Sequence, residues 1–283
     1  MTAAYIMTMR CVDRPGLVSA VSTHIYQCGG NITEAHQFNE PETGHFFARI
    51  RFEVRDASFE VADLGKRNDS VGDLDWTLRR ADQKKRALIL VSKHDHCLAD
   101  LLYRTRIGDM RMEIVGIVSN HPLDSLNVHS TGDIPFHHLP VSKGNKARQE
   151  ADIKNLVEKT GTDLVILARY MQILSPDLVD YLAGRCINIH HSFLPGFKGA
   201  QPYHQAHRRG VKIIGATAHY VTTDLDEGPI IEQDIVTVTH SDTPDTLVRK
   251  GRDVERRVLS RAVFFHLEDR VLISGARTVV FRN

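Results

Sequence analysis

The chain has 283 residues, with 36 Lys and Arg against 35 Asp and Glu, a formal net charge of +1 and 42% hydrophobic residues. This composition is ordinary for a globular protein, and the length allows one large domain or two smaller ones. Balanced charge argues against nucleic-acid binding, which needs a clustered positive surface. The sequence contains no run of about 18 apolar residues, so no membrane-spanning helix is predicted. No signal peptide is visible, and the 4 cysteines are scattered singly, so we expect a cytoplasmic protein.

The first part of the chain predicts a small α+β domain. Apolar residues recur at helical spacing from Leu17 to Ile25, and side chains from Phe46 to Val54 alternate between apolar and polar. The predicted order is strand, helix, strand, strand, helix, strand, at residues 4–12, 17–28, 31–40, 43–54, from about Ser58, and 74–79. This order is typical of a ferredoxin-like sandwich.

A polar, charged segment at 79–86 separates this region from a different pattern. We interpret it as a solvated linker rather than a nucleic-acid contact, which divides the chain into domains 1–83 and 84–283. Beyond it, apolar runs alternate with helices of about 10 to 15 residues, a pattern that predicts a doubly wound, mostly parallel α/β sheet. The predicted strands are 87–92, 112–119, 163–168, 186–190, 213–221 and 229–238, with helices at 96–106, 146–159 and from Thr243, and a hairpin around Ser274.

Polar side chains gather where the later strands end. Asn188 and His190 lie two apart, so they project from the same face at the carboxyl end of a strand, where open parallel sheets bind ligands. His219 ends an apolar run, and Asp226 lies in a turn-rich segment between two strands. An amide and a protonated imidazole can stabilise an oxyanion, and a carboxylate can accept a proton, as acyl transfer requires. From spacing alone, a loop histidine and a turn-forming aspartate remain the alternative.

Two long strings in the chain resemble a known superfamily. The stretch from Asn188 to Pro195 reads NIHHSFLP and is followed by Gly199-Ala200, and the stretch from His219 reads HYVTTDLDEGPII. They resemble the formyltetrahydrofolate formyltransferase and hydrolase superfamily. The whole chain is most similar to its deformylase family, which carries an N-terminal ACT domain. The resemblance implies that Asn188, His190 and Asp226 are catalytic.

The resemblance also implies a reaction and its binding residues. The expected reaction is hydrolysis of 10-formyltetrahydrofolate by water to formate and tetrahydrofolate, which supplies formate for purine synthesis and balances one-carbon folate pools. No cofactor is expected, since the folate is the substrate. His219 is expected to orient Asp226 or to be a satisfied histidine at a strand end. The implied substrate-binding residues are Met171, Gln172, Leu174, Gly199, His219 and Val221.

The first strand-to-helix turn bears on which nucleophile reacts. In the transformylases of the superfamily that this chain resembles, which accept a ribonucleotide, this turn is glycine-rich and holds a phosphate, because only glycine lets backbone N–H groups approach it closely. Residues 92–98 contain no glycine; Asp95 would repel a phosphate, and His94 and His96 would occupy its space. We therefore expect water as the nucleophile. The alternatives are anion binding by Lys93 and His94, formyl transfer to a non-phosphorylated amine, and a non-catalytic folate or amino-acid sensor.

The 16 histidines also raise the question of a metal site. The chain has no HExxH pattern, and His204 and His207, spaced as on one helix face, lack an obvious carboxylate partner. We therefore interpret the remaining histidines as surface or supporting residues and expect no metal.

The N-terminal domain has a candidate effector site of its own. Asp13, Gly16, Gly30 and Asn31 resemble the ACT signature, which implies an amino-acid effector bound between paired domains of a dimer or tetramer. The dipole of the first helix would favour a carboxylate near Gly16. The alternative is a domain that only oligomerises.

Overall fold

The computed structural model describes residues 2–55, 74–128, 131–142, 144–191 and 202–282, with Pro202 described by its backbone alone. The helix expected from about Ser58 and the substrate-binding residue Gly199 therefore lie outside the described residues. The chain forms two compact units. The first comprises Met1–Lys84, Glu268–Ser274 and Val279–Asn283, and the second comprises Lys85–Leu267 and Gly275–Thr278.

The first unit is built on a four-stranded antiparallel sheet. Its elements are β1 (Ala3–Val12), α1 (Leu17–Gln27), β2 (Gly30–Glu40), β3 (His45–Val54) and β4 (Asp75–Arg80). The strand order is β2-β3-β1-β4. The side chains of Leu17, Val21 and Ile25 on α1 are buried, as their spacing predicts. The ferredoxin-like assignment also needs a second helix, and it stays a prediction.

Glu268–Ser274 and Val279–Asn283 belong to the first unit, whereas the sequence placed all of 84–283 in the second domain. Charge pairing explains the difference. Arg270 is 7% exposed and donates from Nη2 to Glu34 Oε1 at 2.7 Å. Arg49, fully buried in β3, donates from Nε to the carbonyl of Glu268 at 2.8 Å. These contacts fasten the C-terminal segment, which apolar periodicity alone could not assign. The segment carries β12 (Val271–Ser274) and β13 (Arg277–Val280), which form the hairpin expected around Ser274.

The second unit contains a seven-stranded, mostly parallel sheet of order β11-β10-β9-β8-β5-β6-β7. Its strands are β5 (Lys85–Val91), β6 (Met112–Ser119), β7 (Phe136–His138), β8 (Leu164–Leu167), β9 (Cys186–His190), β10 (Ile213–Tyr220) and β11 (Ile230–Thr237). Its helices are α2 (His96–Ile107), α3 (Lys146–Thr160), α4 (Pro176–Tyr181), α5 (Pro202–Arg209) and α6 (Pro244–Leu267), with a 3₁₀ turn at Leu123–Ser125. Strands β5 to β9 pair in parallel, and β10 pairs antiparallel with both β9 and β11. The six strands predicted for this unit are present. The three-residue strand β7 and the six-residue helix α4 were not predicted, because each is too short to show a period.

Helix α6 buries one side in the core of the second unit, to which it belongs. Its apolar residues Leu247, Val254, Val258 and Ala262 are buried, and Phe265 is half-buried. Glu255 is buried on the same side. Among the residues that the structure describes, no helix combines the length and apolar character needed to cross a membrane.

Candidate active site

Strands β9 and β10 bring the first three polar residues of the site together. The two strands are antiparallel, and His219 lies opposite Asn188 while Thr217 lies opposite His190. Asn188 and His190 are two apart on β9, so they face the same way. Asn188 Nδ2 lies 3.3 Å from His219 Nε2. The alternation of side chains along β9 and its pairing with β10 thus place an amide and two imidazoles on the same face of the sheet.

The loop between β10 and β11 supplies the carboxylate. Asp226 has a φ of 60°, a left-handed conformation that aspartate tolerates better than most residues. A Cβ on Gly228 would lie 1.8 Å from the carbonyl oxygen of Tyr220, so only glycine lets the loop pass this close to β10. The loop folds back, and Asp226 Oδ2 lies 3.1 Å from His190 Nδ1 while Oδ1 lies 3.7 Å from His219 Nε2.

The electrostatics of this group keep Asp226 ionised. Its side chain is 26% exposed. Burial opposes the charged form, but the hydrogen bonds and charges of His190 and His219 outweigh burial and hold the pKa of Asp226 well below its ordinary value. The carboxylate is therefore available as a proton acceptor at neutral pH.

His219 is fixed in one tautomer by its own neighbours. It is 2% exposed, and its Nδ1 donates to the carbonyl oxygen of Tyr220 at 2.9 Å. This leaves Nε2 between the Asn188 amide and Asp226 Oδ1: the neutral ring accepts from the amide there, and the charged ring donates towards the carboxylate. His219 thereby contacts both Asn188 and Asp226, and its role stays a prediction.

A cleft of about 410 Å³ opens in front of these residues. Asn188, His190 and Asp226 line it, and so do Met171, Gln172, Leu174, His219 and Val221, all the expected substrate-binding residues within the described ranges. Three apolar side chains on the cleft are strongly exposed, namely Met171 at 54%, Ile173 at 63% and Leu225 at 61%. Exposed apolar side chains beside a cleft are typical of a surface that a ligand covers.

The first strand-to-helix turn of the second unit is folded inward. Ser92 donates from Oγ to Asn120 Oδ1 at 2.7 Å and accepts from the backbone N–H of Met171 at 2.9 Å. The turn therefore supports the 169–174 loop that borders the cleft.

Asp95 in this turn corrects one expectation. The sequence placed its charge where it would repel a phosphate, but the side chain is 5% exposed and accepts from Asn127 Nδ2 at 3.0 Å and Val128 N–H at 2.7 Å. Burial acts to raise the pKa of Asp95, but these hydrogen bonds lower it by more, so the pKa lies below its ordinary value. Asp95 thus fastens one loop to another, and His94 and Lys93 are left exposed.

A second buried carboxylate lies behind the cleft and was missed in the sequence. Glu255 on α6 accepts from Tyr203 OH at 2.6 Å, and its Oε2 lies 2.8 Å from His96 Nε2 and 3.3 Å from Arg169 Nε. We call these four residues the Glu255 cluster. Burial opposes the charge, but the hydrogen bond from His96 and the charge of Arg169 lower the pKa of Glu255 to about 2. The available signal was a charged residue on the buried side of an amphipathic helix.

The described residues contain one group whose atoms could surround a metal, namely His96, Cys97 and Glu255, within 4.8 Å of one another. The charge of Arg169 beside Glu255 opposes a second cation there. Burial and the charge of Glu255 raise the pKa of the Cys97 thiol well above its ordinary value, which disfavours the thiolate that a metal would need. His204 and His207 are exposed on α5.

The proposed effector residues lie around the start of α1 and β2 in the first unit. Gly16 caps α1 with a φ of 91°, and Asp13 Oδ2 accepts from Asn39 Nδ2 at 2.7 Å. A Cβ on Gly30 would meet Ile25 Cγ2 at 2.6 Å, so Gly30 serves close packing, while Asn31 is exposed. Their effector role stays a prediction.

Comparison with known proteins separates two groups of relatives. A family model described as formyl transferase matches residues 85–263. The formyltetrahydrofolate deformylase of Corynebacterium sp. (strain P-1) is 47% identical over 281 residues, 98% of each chain. That of Bacillus subtilis (strain 168) is 46% identical and covers 97% of this chain and 93% of its own.

Solved structures show the same division. A formyltetrahydrofolate deformylase from Burkholderia mallei superposes with a TM-score of 0.92 at 46% identity and covers 99% of this chain and 100% of its own. A glycinamide ribonucleotide transformylase from Symbiobacterium toebii gives a TM-score of 0.64 at 29% identity and covers 70% of this chain and 95% of its own. The deformylases match both units of the chain, whereas the transformylase leaves part of it unmatched. The chain therefore belongs to the formyltetrahydrofolate deformylase family and carries a formyl transferase domain.

Proposed function

We propose that this protein hydrolyses 10-formyltetrahydrofolate to formate and tetrahydrofolate. One observation carries the proposal: Asn188, His190 and Asp226 converge at the cleft, with the Asp226 carboxylate 3.1 Å from the His190 ring. The full-length match to formyltetrahydrofolate deformylases supports the same substrate.

The proposed mechanism assigns one task to each group. Asp226 takes a proton from water, and the oxygen of that water forms a bond to the formyl carbon. His190 engages Asp226 through Nδ1, which leaves Nε2–H of its imidazolium to donate to the developing oxyanion together with the Asn188 amide. The tetrahedral intermediate then breaks its bond to nitrogen, and the proton held by Asp226 passes to that nitrogen. The formic acid released loses its remaining proton to solvent, and formate and tetrahydrofolate leave.

The proposed substrate surface combines backbone and apolar groups. The loop carrying Met171, Gln172 and Leu174 would present backbone N–H and carbonyl groups to the polar edge of the pterin, and Val221 would face it from just beyond the end of β10. The exposed side chains of Met171 and Ile173 would cover the aromatic rings. Gly199, in the segment outside the described residues, is proposed as a further contact from the resemblance.

Water is preferred to an amine as the nucleophile because the first turn is not built to hold a phosphate. It contains no glycine, and its Ser92 and Asp95 are engaged with neighbouring loops. This arrangement takes up backbone and side chains that a phosphate cradle would need. Formyl transfer to a non-phosphorylated amine is the second candidate, and the experiment below separates the two.

The first unit is proposed to be an ACT domain that pairs with a second copy and binds an amino acid near Asp13, Gly16, Gly30 and Asn31. Its small antiparallel sheet supports this proposal. The four unpaired cysteines support a reducing cytoplasm as its location, where the released formate would serve purine synthesis.

The test is formate release from 10-formyltetrahydrofolate without any amine acceptor. We expect turnover by the native chain, and a loss of about 100- to 1,000-fold in kcat for Asn188→Ala, since one oxyanion donor is removed. Asn155→Ala, exposed on α3, is the matched control and should retain full activity. Formyl transfer that requires an amine would instead establish a transferase. Near-normal hydrolysis by Asn188→Ala would contradict the assigned site.

A further inference from the structure

Arg169 adopts a backbone conformation that its side chain does not favour. It lies two residues after the end of β8 and has a φ of 64°, in the left-handed region that suits glycine and is unfavourable for a bulky residue. Its side chain is nevertheless only 10% exposed. Unfavourable backbone conformations persist where the surroundings enforce them, and they cluster at functional sites. The contacts of the guanidinium therefore bear on why Arg169 adopts this conformation.

The guanidinium joins Glu255 to His191. Nε lies 3.3 Å from Glu255 Oε2, and Nη1 lies 2.5 Å from Nδ1 of His191. A guanidinium has only donors, so Nδ1 of His191 must act as the acceptor. The ring is then neutral, with its proton on Nε2.

His191 lies beside the catalytic histidine and among several charges. Its ring stacks on that of His190 with centroids 5.1 Å apart, and the ring of Tyr203 lies 6.4 Å away. Burial, then the charge of Arg169, lowers the pKa of His191 to about 4, and His190 contributes in the same direction. Glu255 and Asp226 act in the opposite direction, but they do not prevail. The ring is uncharged at neutral pH.

We propose that Arg169, held in place by Glu255, is a positioning residue that keeps His191 neutral and so reserves the positive charge of the histidine pair for His190. The inference rests on the proposed hydrolysis, in which His190 donates to the oxyanion. Two stacked imidazolium rings beside a guanidinium would repel one another, and the nearby carboxylates are already paired. Without Arg169, His191 could take a proton in the range where the enzyme works and disturb the charge on its neighbour.

The first test observes the ring nitrogens of His191 by NMR in the full-length chain labelled with ¹⁵N-histidine. In the native protein we expect a neutral Nε2–H tautomer from pH 7 down to about pH 5, with protonation near the pKa of about 4. His191→Gln identifies the resonance. Protonation of the native ring near pH 6.5, or an Nδ1–H tautomer, would overturn the proposal without any further variant.

The second test removes the guanidinium with Arg169→Gly. Glycine suits the left-handed φ, so the backbone is not strained by the change. We expect the pKa of His191 to rise above about 4 but to stay below its ordinary value, because burial, the larger cause of the lowering, remains. Arg169→Lys, which restores a positive donor, should move it part of the way back. Arg86→Met, which loses an arginine bonded to the Thr160 carbonyl and to Glu113, should leave His191 unchanged.

The kinetic readout is the pH profile of kcat for formate release. Arg169→Gly should lose more activity at pH 5 than at pH 8 relative to the native enzyme, because its His191 takes up a proton at a higher pH than the native ring does. A loss that is equal at both pH values, or an unshifted His191, would show that Arg169 has only a structural role. If His191 behaves as expected but the native chain releases no formate, the proposed hydrolysis is wrong while the charge assignment stands.

Discussion

The second unit holds two carboxylates that resemble each other in their partners and differ in their surroundings. Asp226 contacts His190 and His219, and Glu255 contacts His96 and Arg169. Both are held ionised, with pKa values below their ordinary ones. Their side chains, however, are 26% and 1% exposed respectively.

The difference in exposure separates a reactive group from a fixed one. Asp226 lines the cleft, so a water molecule or a substrate can reach it. Glu255 has Tyr203 on one oxygen and His96 with Arg169 on the other, and no side of it faces solvent. A carboxylate that accepts a proton during turnover needs a reachable lone pair, whereas a buried carboxylate that is fully bonded serves to hold its neighbours.

The largest effect is expected at the open carboxylate. Asp226→Asn keeps the shape of the side chain and tolerates the φ of 60°, but it cannot accept a proton. We expect kcat for formate release to fall by about 10²- to 10⁴-fold, the usual contribution of a general base. Asp224→Asn, an exposed aspartate in the same loop, should remain active. Substantial turnover by Asp226→Asn would place the proton acceptor elsewhere.

The buried carboxylate should show the opposite pattern, with a large loss of stability. Glu255→Gln preserves volume but leaves the charge of Arg169 uncompensated and turns an amide towards a donor. Removing one partner of a buried ion pair costs about 3 to 5 kcal/mol, measured here as the free energy of unfolding in urea. Glu113→Gln, which breaks the exposed pair with Arg86, should cost about 1 kcal/mol or less. If the two variants lost the same free energy of unfolding, burial of the Glu255 cluster from solvent would not strengthen its ion pairs.

The same two carboxylates show how far the sequence could lead. Asn188, His190, His219 and Asp226 stand at strand ends or in a turn, and a period of two was enough to place the first two on one face. The geometry of the Asp226 loop was not readable, because it depends on the approach of Gly228 to the Tyr220 carbonyl across a turn. The catalytic role of these residues stays a prediction.

The Glu255 cluster lay beyond sequence reasoning for a different reason. Its members come from α2, the loop after β8, α5 and α6, which are far apart in the chain. Local periodicity describes one element at a time. It therefore places Glu255 on the buried side of α6 but cannot predict that His96 and Arg169 contact it there. Asp95 was misjudged for the same reason, since its partners Asn127 and Val128 belong to another loop.

The smallest effect is expected from removing a single hydrogen-bond donor of the buried Glu255 carboxylate. Tyr203→Phe removes the hydroxyl that donates to Glu255 Oε1 at 2.6 Å and leaves the ring in place. The ring is held against α6, where a Cβ on Gly251 would lie 2.1 Å from Tyr203 Cζ. Burial and the charge of Glu255 raise the pKa of Tyr203 well above its ordinary value, so this hydroxyl is a permanent donor.

We expect Tyr203→Phe to lower the free energy of unfolding by about 1.5 to 3 kcal/mol, because a hydrogen bond to a charged group is lost and one carboxylate oxygen is left short of a donor. Tyr170→Phe is the matched control: its buried hydroxyl accepts from the neutral amide of Gln149 at 2.7 Å, and its loss should cost about 0.5 to 1.5 kcal/mol. Urea unfolding at pH 7 compares the two. If both variants lose the same stability, the charge on Glu255 adds nothing to the bond, and the contrast between the open and the sealed carboxylate rests on Arg169 and His96 alone.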